Sequence, residues 1–404
     1  GFADLFANEA GKYTFLENTA RAVFSRYGYG ELRTPVVEFT ELFAKGIGQD
    51  TDVVGKEMYT FPDRKGRSLT LRPEATAGVV RAFVESGAYQ PGGVYKYFTF
   101  GPMFRYERPQ KGRMRQFHQI NVECFGSASA YTDAEVLLML ADFLSAIGLK
   151  KLSFELNTLG CPDCRPAYRA ELTAYLARIL DDDLCEDCRR RRATNPLRVL
   201  DCKVPGCREA SAGAPSIQDK ACGRCLSNFE IVKTALTGAG LDFVLNPRLV
   251  RGLDYYQGTT FEVVSGDIGS QSSVAGGGRY DGLVKTLGGP DVPGVGFACG
   301  MERLALLLEE QQALRPDFHI AVLDPAGLAA GLGLAQRLRA AGLCGLCDHE
   351  AGSMKSRLRA ADRAGARFCA IIGGDELLNG TVVVKSLTTG EQITVPLQSA
   401  ESVL

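Results

Sequence analysis

The sequence predicts an α+β core on an antiparallel sheet, a cysteine-rich insertion within it, and a separate C-terminal α/β domain. Two runs with strand-like alternation between residues 95 and 125 flank the polar loop RPQKG, the pattern of a long-loop hairpin. Eight of the thirteen cysteines crowd into residues 161–225, which sets that segment apart. From residue 318 onward strand and helix patterns alternate, which reads as an α/β unit.

Taken in order, residues 8–28 read as a helix with Asn8 as its cap and a stripe of Phe15, Leu16, Thr19, Val23 and Tyr27. Gly28 and Gly30 end it. RTPVVEF (33–39) reads as a strand whose Pro35 sits where no ladder donor is needed. A strand at 68–72, a short helix at 76–86 and the hairpin follow. Thr132–Ile147 reads as a helix opened by the capping box Thr132…Glu135 and stopped by Gly148. Strands at 259–265 and 293–299 lead into a helix from Met301 to Glu309, and Pro316 marks a boundary. Beyond it come strands at 319–324, 343–348 and 368–373, helices at 326–341 and 353–364, and a final hairpin around Thr389-Gly390.

In the second hairpin run a period of two sorts the side chains. Arg113, Arg115, Phe117, Gln119, Asn121 and Glu123 share one face; Met114, His118, Ile120, Val122 and Cys124 share the other. Arg105 and Glu107 share a face of the first run. Gln119 to Glu123 spans about 13 Å, enough to line a small-molecule pocket. A solvated sheet face is the bland alternative, but such faces are usually Thr, Lys and Glu mixtures, and this one holds Arg, Gln, Asn and a single Glu.

Composition is that of an ordinary globular protein, with 45% hydrophobic and 23% charged residues. No run approaches the roughly 18 apolar residues of a membrane span. The sequence shows no secretory leader, although Gly1 is not an initiator methionine and a few residues are expected to precede it. An odd cysteine count without a leader points to a reducing, cytoplasmic compartment. The net charge of −1 means that a nucleic-acid partner must meet local basic patches such as Arg189–Arg192 or the arginines of 337–367.

FRYERPQKGRMRQFHQ resembles motif 2 of class II aminoacyl-tRNA synthetases, in the histidyl form. RTPVVEFTELF (33–43) resembles motif 1, SLTLRPEATAGVVRA (68–82) the amino-acid-binding loop, LVRGLDYYQGTTFE (249–262) the histidine signature, and GVGFACGMERL (294–304) motif 3. The resemblance implies a class II catalytic core over 1–160 and 226–316, an anticodon-binding domain over 317–404, and a homodimer built on motif 1. It implies activation of L-histidine with ATP and Mg²⁺, followed by transfer to the terminal ribose of tRNA(His). Both reactants are anionic, so fixed arginines are needed to stabilise charge at the phosphoryl oxygens. The resemblance assigns that work to Arg105, Arg251 and Arg303, with Glu107 and Arg113 completing the ATP site. It assigns the α-ammonium group to Glu74, with Thr76 and Gln119. The imidazole falls to Glu123 and Tyr256, and Tyr255 and Tyr280 line the pocket. Ala75 stands where many relatives have glycine, which is tolerable only if its φ is negative. A catalytically silent regulatory paralogue is the nearest rival; it should lack the last domain and erode motifs 2 and 3, which this chain keeps. A zinc-bearing RNA-binding or sensor protein with a decayed core is a more distant one.

Within 161–225, Cys161-x2-Cys164, Cys185-x2-Cys188, Cys202-x4-Cys207 and Cys222-x2-Cys225 have the spacing of thiolate ligands to tetrahedral zinc. Eight thiols suit two four-cysteine sites, consecutive or interleaved. Cys344-x2-Cys347 has no second pair and reads as core.

Overall fold

The hairpin forms where the alternation predicts it, at the heart of a much larger sheet. The computed structural model describes residues 1–48, 51–271, 273–309 and 315–402, without the side chains of 269–271 and 402. The chain divides into two units, Gly1–Glu309 and Glu310–Leu404.

The first unit opens with helix α1 (Ala7–Arg26), which buries Leu16, Ala20, Val23 and Phe24. It starts one residue before Asn8, and its N-cap Phe6 has no side-chain hydrogen bond, so the expected Asn8 cap is not made. Strands β1 (Gly30–Glu31) and β2 (Val37–Phe39), helix α2 (Thr40–Ile47), strands β3 (Tyr59–Pro62) and β4 (Ser68–Leu71), and helix α3 (Thr76–Ser86) follow. The strand expected over 33–39 is only Val37–Phe39. The segment before it is engaged by Arg72, whose Nη1 donates to the Thr34 carbonyl at 3.1 Å and whose amide donates to Val36 at 2.9 Å.

Strands β5 (Tyr95–Phe104) and β6 (Gln116–Phe125) are the hairpin, and helix α4 (Ala130–Ala146) comes next. The predicted capping box is not made. Ser129 caps α4 by accepting from the Tyr131 amide at 3.3 Å, Thr132 pairs with Ser127 at 2.6 Å, and Glu135 takes Lys96 at 2.7 Å. Strand β7 (Ser153–Thr158) leads into the insertion, whose short helices are α5 (Arg165–Leu176), α6 (Glu186–Thr194), α7 (Leu197–Leu200) and α8 (Pro205–Ala210). Helix α9 (Gly223–Gly238) returns to the core, followed by β8 (Val244–Leu245), β9 (Gln257–Val264), β10 (Ser273–Arg279), α10 (Leu283–Thr286), β11 (Gly294–Gly300) and α11 (Met301–Leu307).

The large sheet runs β1-β5-β6-β11-β10-β9-β7-β8, antiparallel except where β1 and β8 join its edges. A three-stranded sheet runs β2-β4-β3. Ile120, Val122 and Cys124 of β6 enter a core with Phe24, Leu140, Phe143, Val232, Phe261 and Phe297, so α1, α4 and α9 cover that face. Phe24 packs at 5.5–5.9 Å, ring centre to ring centre, on Phe98, Phe143 and Phe297. The opposite parity of β6 is left for Gln119, Asn121 and Glu123. Arg279 ties β10 to the start of α4, donating to Asp133, to the Ser127 and Ser129 carbonyls at 3.0 and 3.1 Å, and to Asp281 at 3.0 Å.

The second unit consists of β12 (Phe318–Val322), α12 (Leu328–Ala340), β13 (Gly345–Cys347), α13 (Met354–Arg363), β14 (Phe368–Ile372), α14 (Gly374–Asn379), β15 (Thr381–Ser386) and β16 (Gln392–Pro396). Its sheet runs β13-β12-β14-β15-β16, parallel over the first three strands and antiparallel after. That is the predicted α/β unit with its closing hairpin. Among the described residues no helix is long and apolar enough to cross a membrane.

Candidate active site

Residues from five separate stretches of the first unit meet on the sheet face opposite α1, α4 and α9. Glu123 is 2% exposed, and both its oxygens are engaged. The Tyr280 hydroxyl donates to one and Thr76 Oγ1 to the other, the latter at 2.7 Å. Burial pushes the Glu123 carboxyl up to about 8, against the pull of these two hydrogen bonds. Glu74, equally buried, accepts the amides of Thr76 at 2.6 Å and Ala77 at 2.9 Å and so closes the N-terminus of α3. Burial raises its carboxyl too, with the two amides opposing. Ala75 has φ −99°, so it strains nothing there.

Tyr255, Tyr256 and Tyr280 form one aromatic cluster, with ring centres 4.6 Å (255–256) and 5.7 Å (255–280) apart. On β6 the side-chain carbonyls of Gln119 and Asn121 are buried without a partner among the described residues, as is the hydroxyl of Thr99, directly across from Asn121 on β5. Such acceptors are costly unless a ligand donates to them.

A cationic pole adjoins this pocket. Arg105 Nε donates to the Pro73 carbonyl at 2.8 Å, and its guanidinium lies 5.3 Å from the Phe117 ring centre. Arg113 pairs with Glu107. Arg303, on α11, donates to the Gly112 carbonyl at 3.0 Å and the Ser273 carbonyl at 2.6 Å, which fixes the hairpin loop against β10. Burial, and then neighbouring Arg113, lower its hold on its proton. Arg251 joins the two poles: Nη1 is 3.3 Å from Glu262, and the guanidinium lies over Tyr256 at 5.6 Å.

The glycine-rich strands are the floor of the site. A Cβ on Gly276 would fall 2.4 Å from Arg251 Nη1, and one on Gly296 would fall 2.2 Å from Glu123 Oε2. Side chains there would occupy the space of the functional groups.

The residues expected to bind histidine and ATP come together in these two poles, with three adjustments. Arg113 and Arg115 precede β6, because the Gln110–Arg113 bridge and the Glu107 pair fold the loop back. Arg105 and Glu107 likewise follow β5 and do not extend it. Tyr280, expected as lining, is a direct partner of Glu123, and Thr76 serves both carboxylates. Sequence reasoning left out Asn121, Glu262 and Glu57 as site residues. Asn121 was visible on the polar face. Glu262, an acid in an apolar strand, was a usable signal. Glu57 had none. Burial and the nearby Glu107 carboxylate push it up to about 7, with Arg105 and Arg113 opposing.

The eight insertion cysteines separate into two groups, Cys161, Cys164, Cys222 and Cys225, and Cys185, Cys188, Cys202 and Cys207. Within each group the sulfurs lie within 4.8 Å of one another. Cys161 Sγ is 3.7 Å from Cys164 and 3.9 Å from Cys222, and Cys185 is 3.9 Å from Cys202. Four thiolates about 2.3 Å from one tetrahedral ion stand about 3.8 Å apart, so either group has the dimensions to hold a metal. The groups are nested, the outer one joining the two ends of the insertion.

A family model described as histidyl-tRNA synthetase matches residues 1–304, and one described as anticodon binding domain matches 318–404. Curated relatives named histidine–tRNA ligase include that of Solidesulfovibrio magneticus, 64% identical over 98% of this chain and 94% of its own length. That of Nitratidesulfovibrio vulgaris strain DP4 is 62% identical over 98% and 95%. Among solved structures, apo histidyl-tRNA synthetase of S. aureus aligns with a TM-score of 0.82 at 34% identity, covering 100% of this chain and 97% of its own. The motif order, the two poles of the site and these matches over nearly the whole length agree: the chain belongs to the histidyl-tRNA synthetase family.

Proposed function

We infer that this chain is a histidine–tRNA ligase that forms histidyl-adenylate from L-histidine and ATP and then transfers the histidyl group to the 3′-terminal ribose of tRNA(His). The observation that carries the reading is the apposition of a buried carboxylate pocket to an arginine pole, bridged by Arg251. In the first step a carboxylate oxygen of histidine bonds to the α-phosphorus of ATP, and the bond to pyrophosphate breaks. Arg105 and Arg251 take the charge that gathers on the α-phosphoryl oxygens; Arg113 and Arg303 hold the outer phosphates, with Mg²⁺ entering on the nucleotide. Glu107 orients Arg113. Glu74, Gln119 and Thr76 hold the α-ammonium group. Glu123 meets one imidazole nitrogen and Tyr256 the other, while Tyr255 and Tyr280 close the ring's surroundings. An analogue without ring nitrogens would forgo the hydrogen bonds to Glu123 and Tyr256, which disfavours it.

Residues 1–160 and 226–316 act as the catalytic core in this reading, 161–225 as a zinc-holding insertion, and 317–404 as the anticodon-binding domain. Each four-cysteine group would hold one structural zinc, an ion that tetrahedral thiolate sets suit, beside the buried apolar residues Tyr168, Leu172, Leu176 and Leu184 of the insertion. The chain works as a cytoplasmic homodimer. Val37, Phe39 and Phe61 stand 38%, 48% and 41% exposed on the small sheet, an apolar face suited to burial against a second copy.

ATP–pyrophosphate exchange should run with histidine and no other standard amino acid, and Arg105→Ala or Arg251→Ala should each slow it about 10²–10³-fold. Gly276→Ala should slow it about as much by displacing the Arg251 guanidinium, while thermal stability stays near that of the parent. Near-normal exchange in these variants removes Arg105 or Arg251 from the mechanism.

A chain ending near Pro316 should keep exchange but charge tRNA poorly, because remote contacts supply binding energy. Undiminished charging refutes the domain assignment.

Free Glu123 keeps its proton up to about 8, whereas free imidazole loses its own near about 6.5. Between these values enzyme and substrate together carry the one proton that a neutral Glu123–imidazole pair needs. Below the window a proton must be released on binding; above it one must be taken up, because a net charge in this buried pocket is costly. Histidine KM should therefore be lowest inside the window, and Glu123→Gln should lose the limb near 8. An unchanged upper limb in that variant sinks the assignment.

Elemental analysis of protein purified without chelators should find one zinc for each of the two groups. Metal-free protein would reduce the cysteines to packing residues. Light scattering at micromolar concentration should give twice the chain mass; a species of 43.6 kDa alone would refute the dimer.

A further inference from the structure

The segment bearing Arg251, Asp254, Tyr255 and Tyr256 packs on the insertion only in part, where Val250 and Tyr256 share an apolar cluster with Tyr168, Val199 and Leu200. A cavity of about 220 Å³ separates it from the insertion, bordered by Arg165, Arg169, Asn195 and Arg198. Polar contacts hold the segment across this gap. Arg165 donates to the Tyr256 carbonyl, Asn195 Nδ2 to Asp254 Oδ1 at 2.8 Å, and Arg198 Nη1 to the Arg251 carbonyl at 3.4 Å. Just upstream, Arg248 donates to the Ser211 carbonyl at 2.6 Å.

Each insertion residue in these contacts lies close in sequence to a cysteine of one of the two groups. Arg165 follows Cys164 at the start of α5. Asn195 and Arg198 lie at the α6–α7 junction, between Cys188 and Cys202. Ser211 follows α8, and its hydroxyl donates to the Cys207 carbonyl at 2.6 Å. Helix α6 has polar tethers, such as Arg192 to the Ile179 carbonyl at 2.8 Å and Asp181 at 2.6 Å, but no apolar stripe: its sequence is EDCRRRRAT, and Cys188 is its only buried residue. An apolar stripe normally sets a helix in place. Here the thiols of Cys185 and Cys188 occupy that role, and Arg190 and Arg191 reach from the same helix to Asp52 at 3.0 and 2.6 Å.

We propose that the inner four-cysteine group is a positioning site, whose metal fixes α6 and α7 and through them the segment 250–256 that forms one wall of the histidine pocket. The proposal rests on the metal reading above. Its action falls on histidine binding and, through Arg251, on the rate of adenylate formation; the contacts of Arg105, Arg113 and Arg303 arise from the hairpin and α11 and are left alone.

The test compares two double variants of the full-length protein. Cys185→Ser with Cys188→Ser removes the inner group and spares the outer one. It should lose one zinc, keep the other, lower the exchange rate through Arg251, and raise histidine KM in pyrophosphate exchange about tenfold or more, well beyond any rise in ATP KM. Asn195→Ala with Arg198→Met keeps all eight thiols and should give the same KM split at full zinc content. Loss of zinc with unchanged histidine KM overturns the positioning role and leaves the metal reading standing. A parent protein without zinc overturns both. Parallel rises in both KM values would mark general loss of structure and also count against the proposal. Should the cysteine variant not fold, the tether variant decides, and an unchanged histidine KM there is a refutation.

Discussion

Glu74 and Glu123 lie buried in one pocket, and the elements around them are arranged to satisfy both carboxyls before any ligand arrives. Thr76 serves the two at once, giving its amide to Glu74 and its hydroxyl to Glu123. That requires α3 to begin where it does, against β6. Tyr280 supplies the second donor to Glu123, which requires β10 to end beside β11. Gly296 leaves the space that the Glu123 carboxylate fills. A change in any of these would strand a buried polar group, at about 1–3 kcal/mol apiece.

In the proposed reading the acidic pocket takes the ammonium group and ring of histidine, and the arginine pole takes the phosphates. Arginines of the hairpin loop and α11 are held by backbone carbonyls and by Glu107, so their forks are already oriented. Preorganised charge of this kind needs no rearrangement as the phosphoryl group changes hands. The carbonyls of Gln119 and Asn121, unpaired among the described residues, have the complementary property: they are buried in the free protein and wait for a donor.

Much of this was legible in the sequence, and for identifiable reasons. The alternation of 116–125 specified which side chains of β6 face the site, since a period of two leaves no other choice once Ile120 and Val122 enter the core. The strand–helix alternation after 318 gave the second unit nearly element by element. The misses were contests between local and distant partners. Thr132 and Glu135 have the spacing of a capping box, yet Ser127 and Lys96 claim them. Strand β10 escaped notice because SVAGGGR has almost no apolar side chains, and its glycines make sense only once Arg251 lies over Gly276. Glu57 reaches Glu107 only through tertiary folding, so no window of sequence could have joined them.

The nesting of the cysteines bears on how the insertion relates to the rest of the chain. Cys161 and Cys222 bring their sulfurs within 3.9 Å, so the sixty residues between them leave and return at a single point. Strand β7 pairs with β9, and α9 packs on α4, with no insertion strand lying between them. The insertion is thus a peninsula on the chain's path: a short bridge from β7 to α9 would close the core's connectivity without altering the order of a single strand. Such a segment can change length or character among related chains while the sheet beneath it keeps its topology.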